Sequence, residues 1–350
     1  MVMILKEKIK ILSKLGEILD NLADDKDWPG FEIGLNKSEY LALAELINKV
    51  HIYNGWFTKK SVQTAFKGIA TWLTEESLTN WLKDYKVKEN NPKNVAIIMA
   101  GNIPLVGFHD FLAVFLSGNK AMIKLSSSDK QLFEALFHNL CLIDERMKEW
   151  VTISDGPIKN FDAVIATGSD NSSNYFESYF SKHPHIIRKN RTSVAVIDGS
   201  ETKEELKELG KDIFTFFGLG CRNVSQLWIP MDFEINRFFE AIYEFNPVIN
   251  HNKYANNYDY NKAVYLMNKA DLLDNGFLLL KEDFSLNSPL GMLHYVRYQD
   301  SIDAEHYLND NQDKIQAIVG KNYIPFGRSQ QPKLDDYADG VDTMQFLINL

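Results

Sequence analysis

Residues 94–124 read NVAIIMAGNIPLVGFHDFLAVFLSGNKAMIK. VAIIMA is a short continuous apolar run, which predicts a strand buried on both faces. The loop GNIPLVG leads into an apolar helix from Phe108 to about Ser117, and Gly118 and Asn119 close it in the manner of a C-cap. AMIKL is the next strand, and SSSD offers capping residues for a helix running to about Trp150. The pattern repeats through FDAVIAT at 161–167, the loop GSDNSSN, a helix from about Tyr175 and the strand SVAVID at 193–198. Such alternation predicts a parallel sheet with helices on both faces. Ligands then sit beyond the carboxyl ends of the strands, where GNIP, KLSSSD and TGSD fall.

Upstream, Leu5, Ile9, Leu12, Leu15, Leu19 and Leu22 recur at helical spacing. Asp27-Trp28-Pro29-Gly30 marks a loop, helices follow at 38–50 and 60–73, and Thr74-Glu75-Glu76 opens another. This segment lacks a cluster of reactive side chains and is expected to be a packing layer. Downstream, a helix at about 201–217 meets GLGC, and VSQLWI follows as a strand. A helix near 233–244, strands at 277–280 and 291–298, a helix from 301 and the strand KIQAIV at 314–319 complete the pattern. The expected division is an N-terminal helical segment (1–90), a cofactor-binding domain (91–199), a catalytic domain (200–330) and a tail (331–350).

Composition narrows the function classes. The chain has 350 residues, 45% hydrophobic and 24% charged, which excludes disorder, a collagen-like repeat and a coiled-coil rod. With 38 Lys and Arg against 47 Asp and Glu the formal charge is −9, so no nucleic-acid role is expected. The start, MVMILKEKIKIL, lacks a signal-peptide core, and IPLVGFHDFLAVFL is interrupted by His109 and Asp110. No membrane insertion is expected. Two cysteines make neither a disulfide framework nor a cysteine-rich zinc site, and a reduced, cytoplasmic protein is expected.

The two cysteines differ in context. Cys141 lies among Leu132, Leu136, Leu140 and Ile143 at helical spacing and reads as a small core residue. Cys221 follows Gly218 and Gly220 at a helix-to-strand junction and precedes Arg222. Glycines there admit close approach, and a cation favours thiolate. Those features leave it open between a nucleophile and a structural cysteine. His183 and His185 in KHPHI read as a surface turn, and no motif for a metal, a P-loop or a GxGxxG fingerprint occurs.

Several loops, in order, resemble a known family: NGWFT at 54–58, LTNWLKDY at 78–85, AGN, MIKLSSSD, ATGSD, FFGLGCRNVSQLWIP and YADGVDTMQFL. The chain is similar to the acyl-CoA reductases of the bacterial bioluminescence type, a branch of the aldehyde dehydrogenase superfamily. The resemblance implies an aldehyde-dehydrogenase-like α/β fold: a Rossmann-like cofactor domain and a catalytic domain, each with a parallel sheet, plus an N-terminal helical segment. It implies that Cys221 is the nucleophile and that Asn102 holds the oxyanion together with the Cys221 N–H. Lys124 would bind the adenosine ribose, and Gly168 and Ser169 the pyrophosphate. Relatives that prefer NAD carry a Glu where Ser127 stands here. With Ser126 and Ser128 beside it, this leans toward NADPH, NADH being the alternative.

Two departures are informative. IIRKNRTSV (186–194) stands where hydrolytic relatives place a general-base Glu, and SPLGML (288–293) offers Ser288 where a ribose-binding Glu is usual. The first favours transfer to and from a thiol over oxidation to a free acid. The implied reaction is reduction of fatty acyl-CoA to a fatty aldehyde through an acyl thioester on Cys221, with His109 a candidate proton partner. Reduction of an acyl carrier protein thioester or acyl phosphate is the alternative, and a non-catalytic acyl- or partner-binding subunit is another. Expected partners are a second copy of the chain or an acyltransferase or synthetase.

Overall fold

The computed structural model describes residues 3–87, 91–168 and 170–350. Its first strand, β1 (Asn94–Ile98), buries Val95, Ala96 and Ile97 almost completely and sits at the centre of a five-stranded parallel sheet. The helices before it are α1 (Leu5–Ala23), α2 (Lys37–Lys49), α3 (Lys59–Trp72) and α4 (Glu75–Leu82). After it come α5 (Phe108–Leu116), β2 (Lys120–Lys124), α6 (Lys130–Ile143), β3 (Val151–Ile153), β4 (Ala163–Thr167), α7 (Asp170–Phe180) and β5 (His185–Arg188). The strand order is β3-β2-β1-β4-β5, so the order reverses at β1 and opens a crevice beyond its carboxyl end. In register, Ile98 of β1 lies opposite Lys124 of β2 and Ala166 of β4, which brings the following loops to one edge.

Helix α5 is apolar nearly all round because it packs against α1 as well as β1 and β2. Leu12, Leu15, Ile18 and Leu19 of α1 are fully buried, and one continuous apolar core joins α1–α4 to this sheet. An added Cβ on Gly16 would lie 2.8 Å from Leu73 Cβ, so glycine there lets α1 approach the end of α3.

The second unit contains β6 (Thr192–Val196), α8 (Lys203–Phe214), β7 (Val224–Pro230), α9 (Ile235–Ala241) and α10 (Asn252–Met267). It continues with β8 (Leu273–Asp274), β9 (Leu279–Glu282), β10 (Met292–Tyr298), α11 (Ser301–Asp310) and β11 (Ile315–Val319). Its sheet order is β11-β6-β7-β10-β9-β8, parallel except for the β8–β9 pair.

The chain divides into Met1–Lys189 with Lys333–Leu350, and Asn190–Pro332. The division thus falls earlier than the sequence boundary at 199, because β6 hydrogen-bonds to β7 and β11 and not to the first sheet. Of the expected tail (331–350), residues 333–350 belong to the first unit and contain α12 (Thr343–Ile348). There Tyr337 Oη accepts from Trp81 Nε1 at 2.8 Å, and Asn119 Nδ2 donates to Leu347 O at 3.1 Å.

The expected long helix to Trp150 stops at Ile143. The Asp144 carboxylate takes the Arg146 N–H and guanidinium, a 3-10 turn covers Glu145–Glu149, and β3 follows. The KHPHI turn is part turn and part strand, since His185 begins edge strand β5. Among the described residues, no helix is long and apolar enough to cross a membrane.

Candidate active site

In the first unit, three loops at the carboxyl ends of β1, β2 and β4 carry the residues singled out for cofactor binding and for the oxyanion. The β1 loop begins with Met99 N donating to Lys124 O at 3.0 Å, so it leaves the sheet alongside β2. A Cβ on Gly101 would lie 2.5 Å from Ser126 Oγ, so glycine is what lets the two loops touch. Asn102, the next residue, is exposed. Leu105 adopts φ +57°, a left-handed conformation that costs a branched residue about 1–2 kcal/mol. Its N–H donates to Asp129 Oδ2 at 2.6 Å, which holds it there.

Asp129 is the first residue of the α6 cap, yet its carboxylate serves the neighbouring loop and not its own helix. It is buried, with Oδ1 making no hydrogen bond, and burial pushes its carboxyl well above the usual carboxylate range. Ser126 Oγ accepts from Ser128 N at 3.3 Å, and Ser127 is exposed. Lys124 Nζ donates to Asp155 O, while the Asp155 carboxylate pairs with Lys130 at 2.7 Å. At the β4 end, Gly168 packs against Ser172 and Phe176 of α7, where an added Cβ would come within 2.8 Å of Ser172 Cβ. Ser169 lies outside the described residues. The Lys124 ammonium and the exposed Ser127 hydroxyl at these strand ends are groups that a dinucleotide laid across the switch point could meet, whereas the Gly168 N–H donates to Arg188 O at 3.3 Å.

In the second unit, Cys221 is exposed at the rim of a cavity of about 290 Å³. The loop that carries it follows α8 through Phe216 (φ +53°), Phe217 (φ +59°) and Gly218 (φ +82°). Two non-glycine residues in succession in the left-handed region cost about 1–2 kcal/mol each, so the surroundings must hold the turn. Phenylalanines and leucines supply the apolar wall, among them Phe214, Phe217 and Leu290. The polar wall is Asn190, Arg191, Thr192, Asn223 and Ser225 with Asn287 and Ser288. Among the described lining residues there is no Asp, Glu or His. Ser288 donates its hydroxyl to Met292 O at 2.7 Å, closing the turn before β10.

The remaining singled-out residues have other surroundings. The His109 ring lies among Trp72, Trp81 and Tyr337 at centroid distances of 5.5, 5.5 and 5.8 Å. Its Nε2 donates to Leu334 O at 3.0 Å, so that nitrogen carries the proton, and burial lowers its pKa. His109 therefore ties α5 to the returning segment 333–350. Cys141 packs against the core as expected, and burial raises its thiol pKa. His185 sits 3.4 Å from the Glu177 carboxylate. Among the described residues no His, Cys, Asp and Glu cluster could hold a metal ion.

Sequence reasoning missed Asp129 and Asn223. Asp129 stood in a capping motif and Asn223 in a turn, and neither position announces the contacts that tertiary folding gives it.

Comparison with known proteins follows the same lines. The family model for acyl-CoA reductase (LuxC) matches residues 10–237. A long-chain acyl-protein thioester reductase of Aliivibrio fischeri is 24% identical over 227 residues, covering 59% of this chain and 47% of that protein. The chain thus spans about half the length of this curated relative. Indole-3-acetaldehyde dehydrogenase AldA of P. syringae, solved in complex with NAD+ and IAA, superposes with a TM-score of 0.63 at 12% identity, over 91% of this chain and 72% of that one. The aldehyde dehydrogenase KauB of Pseudomonas aeruginosa gives 0.60 at 13% identity, over 91% and 72%. These structures share the aldehyde dehydrogenase fold with this chain.

Proposed function

The chain belongs to the acyl-CoA reductase (LuxC) family, and from that premise we propose that it reduces fatty acyl-CoA to the fatty aldehyde through a thioester on Cys221. The observation that carries the proposal is an exposed cysteine at a cavity whose described lining holds no carboxylate or imidazole. Among the described lining residues such a thioester meets no general base to activate water, which supports its persisting until it is reduced. That supports acyl transfer and reduction over oxidation to a free acid.

In the proposed sequence the Cys221 thiolate attacks the acyl carbonyl, and a new C–S bond forms as the donor's C–S bond breaks. The leaving thiolate takes a proton from solvent. Negative charge on the carbonyl oxygen is held by the Cys221 N–H and the Asn102 amide, each such donor contributing on the order of 3 kcal/mol. Lys124, Ser126, Ser127, Gly168 and Ser169 are proposed to hold a reduced nicotinamide cofactor, which supplies hydride when bound. The exposed Ser127 hydroxyl, in place of a carboxylate, supports NADPH over NADH because it donates to a phosphate without repelling it. The aldehyde then leaves as its bond to sulfur breaks and the electrons return to Cys221.

The Aliivibrio fischeri relative is named for an acyl-protein thioester, which supports a protein-borne acyl group as the second reading of the donor. An acyltransferase or synthetase that delivers the acyl group is the partner this chemistry calls for. Intact-protein mass spectrometry tests the proposal after mixing with long-chain acyl-CoA, acyl carrier protein thioester or acyl phosphate in the absence of cofactor. An acyl adduct is expected on wild type but not on Cys221→Ala, and NADPH should discharge it to aldehyde. Absence of an adduct with every donor, or full turnover by Cys221→Ala, would overturn it.

A further inference from the structure

We infer that Asn223 is a positioning residue for Cys221, its buried carboxamide fixing the turn that carries the nucleophile and setting the direction of the Cys221 N–H. The inference rests on the acyl-transfer reading above. Asn223 is 3% exposed. Its Oδ1 accepts from Gly220 N at 2.8 Å, and its own backbone N–H donates to Gly220 O at 3.0 Å. Both backbone polar groups of Gly220 therefore end on Asn223. The Gly220–Cys221 peptide is planar and trans, so its C=O and N–H point in opposite directions. With the Gly220 carbonyl drawn to Asn223, the Cys221 N–H is turned to the opposite side of the chain. On the far side of the cysteine, Ser193 Oγ donates to Cys221 O at 2.9 Å, which fixes the next peptide as well.

The other end of the carboxamide holds the preceding helix. Nδ2 donates to Asp212 O at 3.0 Å, Ile213 O at 3.2 Å and Thr215 O at 2.8 Å. These carbonyls lie at the end of α8, where intrahelical donors run out. Two hydrogens serve three acceptors, so one is shared. Between the two anchored ends lie Phe216, Phe217 and Gly218, all at positive φ. One side chain thus spans the left-handed reversal, donating at its start and accepting at its finish. Aspartate could accept from Gly220 but not donate to the carbonyls, and serine is too short to reach both ends.

Asn223→Asp makes this testable. It keeps the size and the acceptor, loses both donor hydrogens, and sets a carboxylate against the three carbonyls. Burial and those dipoles raise its pKa, and protonation restores one donor. Two rates at Cys221 are read by mass spectrometry from acidic to mildly alkaline pH: acylation by a thioester and alkylation by iodoacetamide. Both need thiolate, but only acylation needs an oriented oxyanion donor, so the acylation-to-alkylation ratio of wild type stays flat with pH. For Asn223→Asp the ratio is expected to fall by about 10²-fold at alkaline pH, the loss seen when an oxyanion donor is removed, and to recover on acidification. Asn223→Ser, which gains no donor on acidification, is expected to lower the ratio without the recovery and stands in if the aspartate variant does not fold. A ratio equal to that of wild type, or an equal fall in both rates, would overturn the positioning role while wild type still acylates. A wild type that alkylates but accepts no acyl group would overturn the acyl-transfer reading and this inference with it.

Discussion

Arg188 ends β5 as a buried cation of the first unit. Its Nη2 donates to Asp110 Oδ1 at 2.7 Å and to Thr343 Oγ1 at 2.9 Å, and Nη1 donates to Ala338 O at 2.7 Å. The side chains of Arg188 and Asp110 are 5% and 10% exposed, so the pair is little screened by solvent. Removing one partner of such a pair costs about 3–5 kcal/mol, because the other is left as a buried charge. Arg188→Met should fall at the lower end, about 3 kcal/mol. The orphaned Asp110 lies in the first turn of α5, where the helix dipole favours an anion by about 0.3–1 kcal/mol. Asp110→Leu should cost about 4–5 kcal/mol, since Ala338 and Thr343 offer the stranded guanidinium only neutral oxygens. The double variant should be less costly than either single change, because neither charge remains. At about 2–4 °C per kcal/mol for a domain of this size, Arg188→Met should lower the first unit's melting point by roughly 6–12 °C. Urea unfolding followed by tryptophan fluorescence would rank the three variants. Additive losses in the double variant would refute the reasoning, for they would mean the two charges do not compensate each other.

Three further outcomes are expected. Burial raises the Asp129 carboxyl above its ordinary 3.8, so the folded unit binds more protons than the unfolded chain between the two values. Its contribution to stability is therefore present at acidic pH and lost as pH rises through the folded value. Asn keeps an acceptor for Leu105 N, so Asp129→Asn should flatten that slope and gain stability at neutral pH in urea titrations. Ser127→Glu should raise the KM for NADPH by roughly 10- to 100-fold, as about 1–3 kcal/mol of repulsion from a 2′-phosphate would, and leave the KM for NADH little changed. Asn190→Glu brings a carboxylate to the wall of the Cys221 cavity and should speed hydrolysis of the acyl-enzyme by about 10²-fold or more, seen as faster loss of the mass adduct without cofactor.

Much of this architecture is written in local pattern. The buried strands β1, β2 and β4 show as apolar runs, and α1 shows as a repeating stripe. What hid did so for identifiable reasons. Helix α10, NKYANNYDYNKAVYLM, has no apolar stripe because only Tyr254, Tyr258 and Asn261 of it are buried. Strands β3 and β5 lie at the sheet edges and are short, so VTI and HIIR carry too little pattern to distinguish from a helix end or a turn. The strand β6 is legible, but which sheet it joins is a matter of pairing and not of composition. Cys221 stands out through its glycines and its resemblance. The contacts of Asn223 and Asp129 depend on backbone groups brought near by folding, which no spacing announces.

The first unit is interrupted: the chain leaves it after Lys189 and returns to it at Lys333. During synthesis, then, Asn190–Pro332 can collapse as soon as it clears the ribosome, but the earlier unit must wait. Until Ala338 and Thr343 emerge, the Arg188 guanidinium lacks two of its partners and the cleft that receives Tyr337 against Trp81 stays open. At about 5–20 residues per second, the intervening segment imposes a delay of roughly seven to thirty seconds on the nascent chain. The sheet itself is complete by Arg188, but the apolar surface that Tyr337, Met344 and Leu347 later cover is the kind that holding chaperones bind, and the interval sets how long such help is needed.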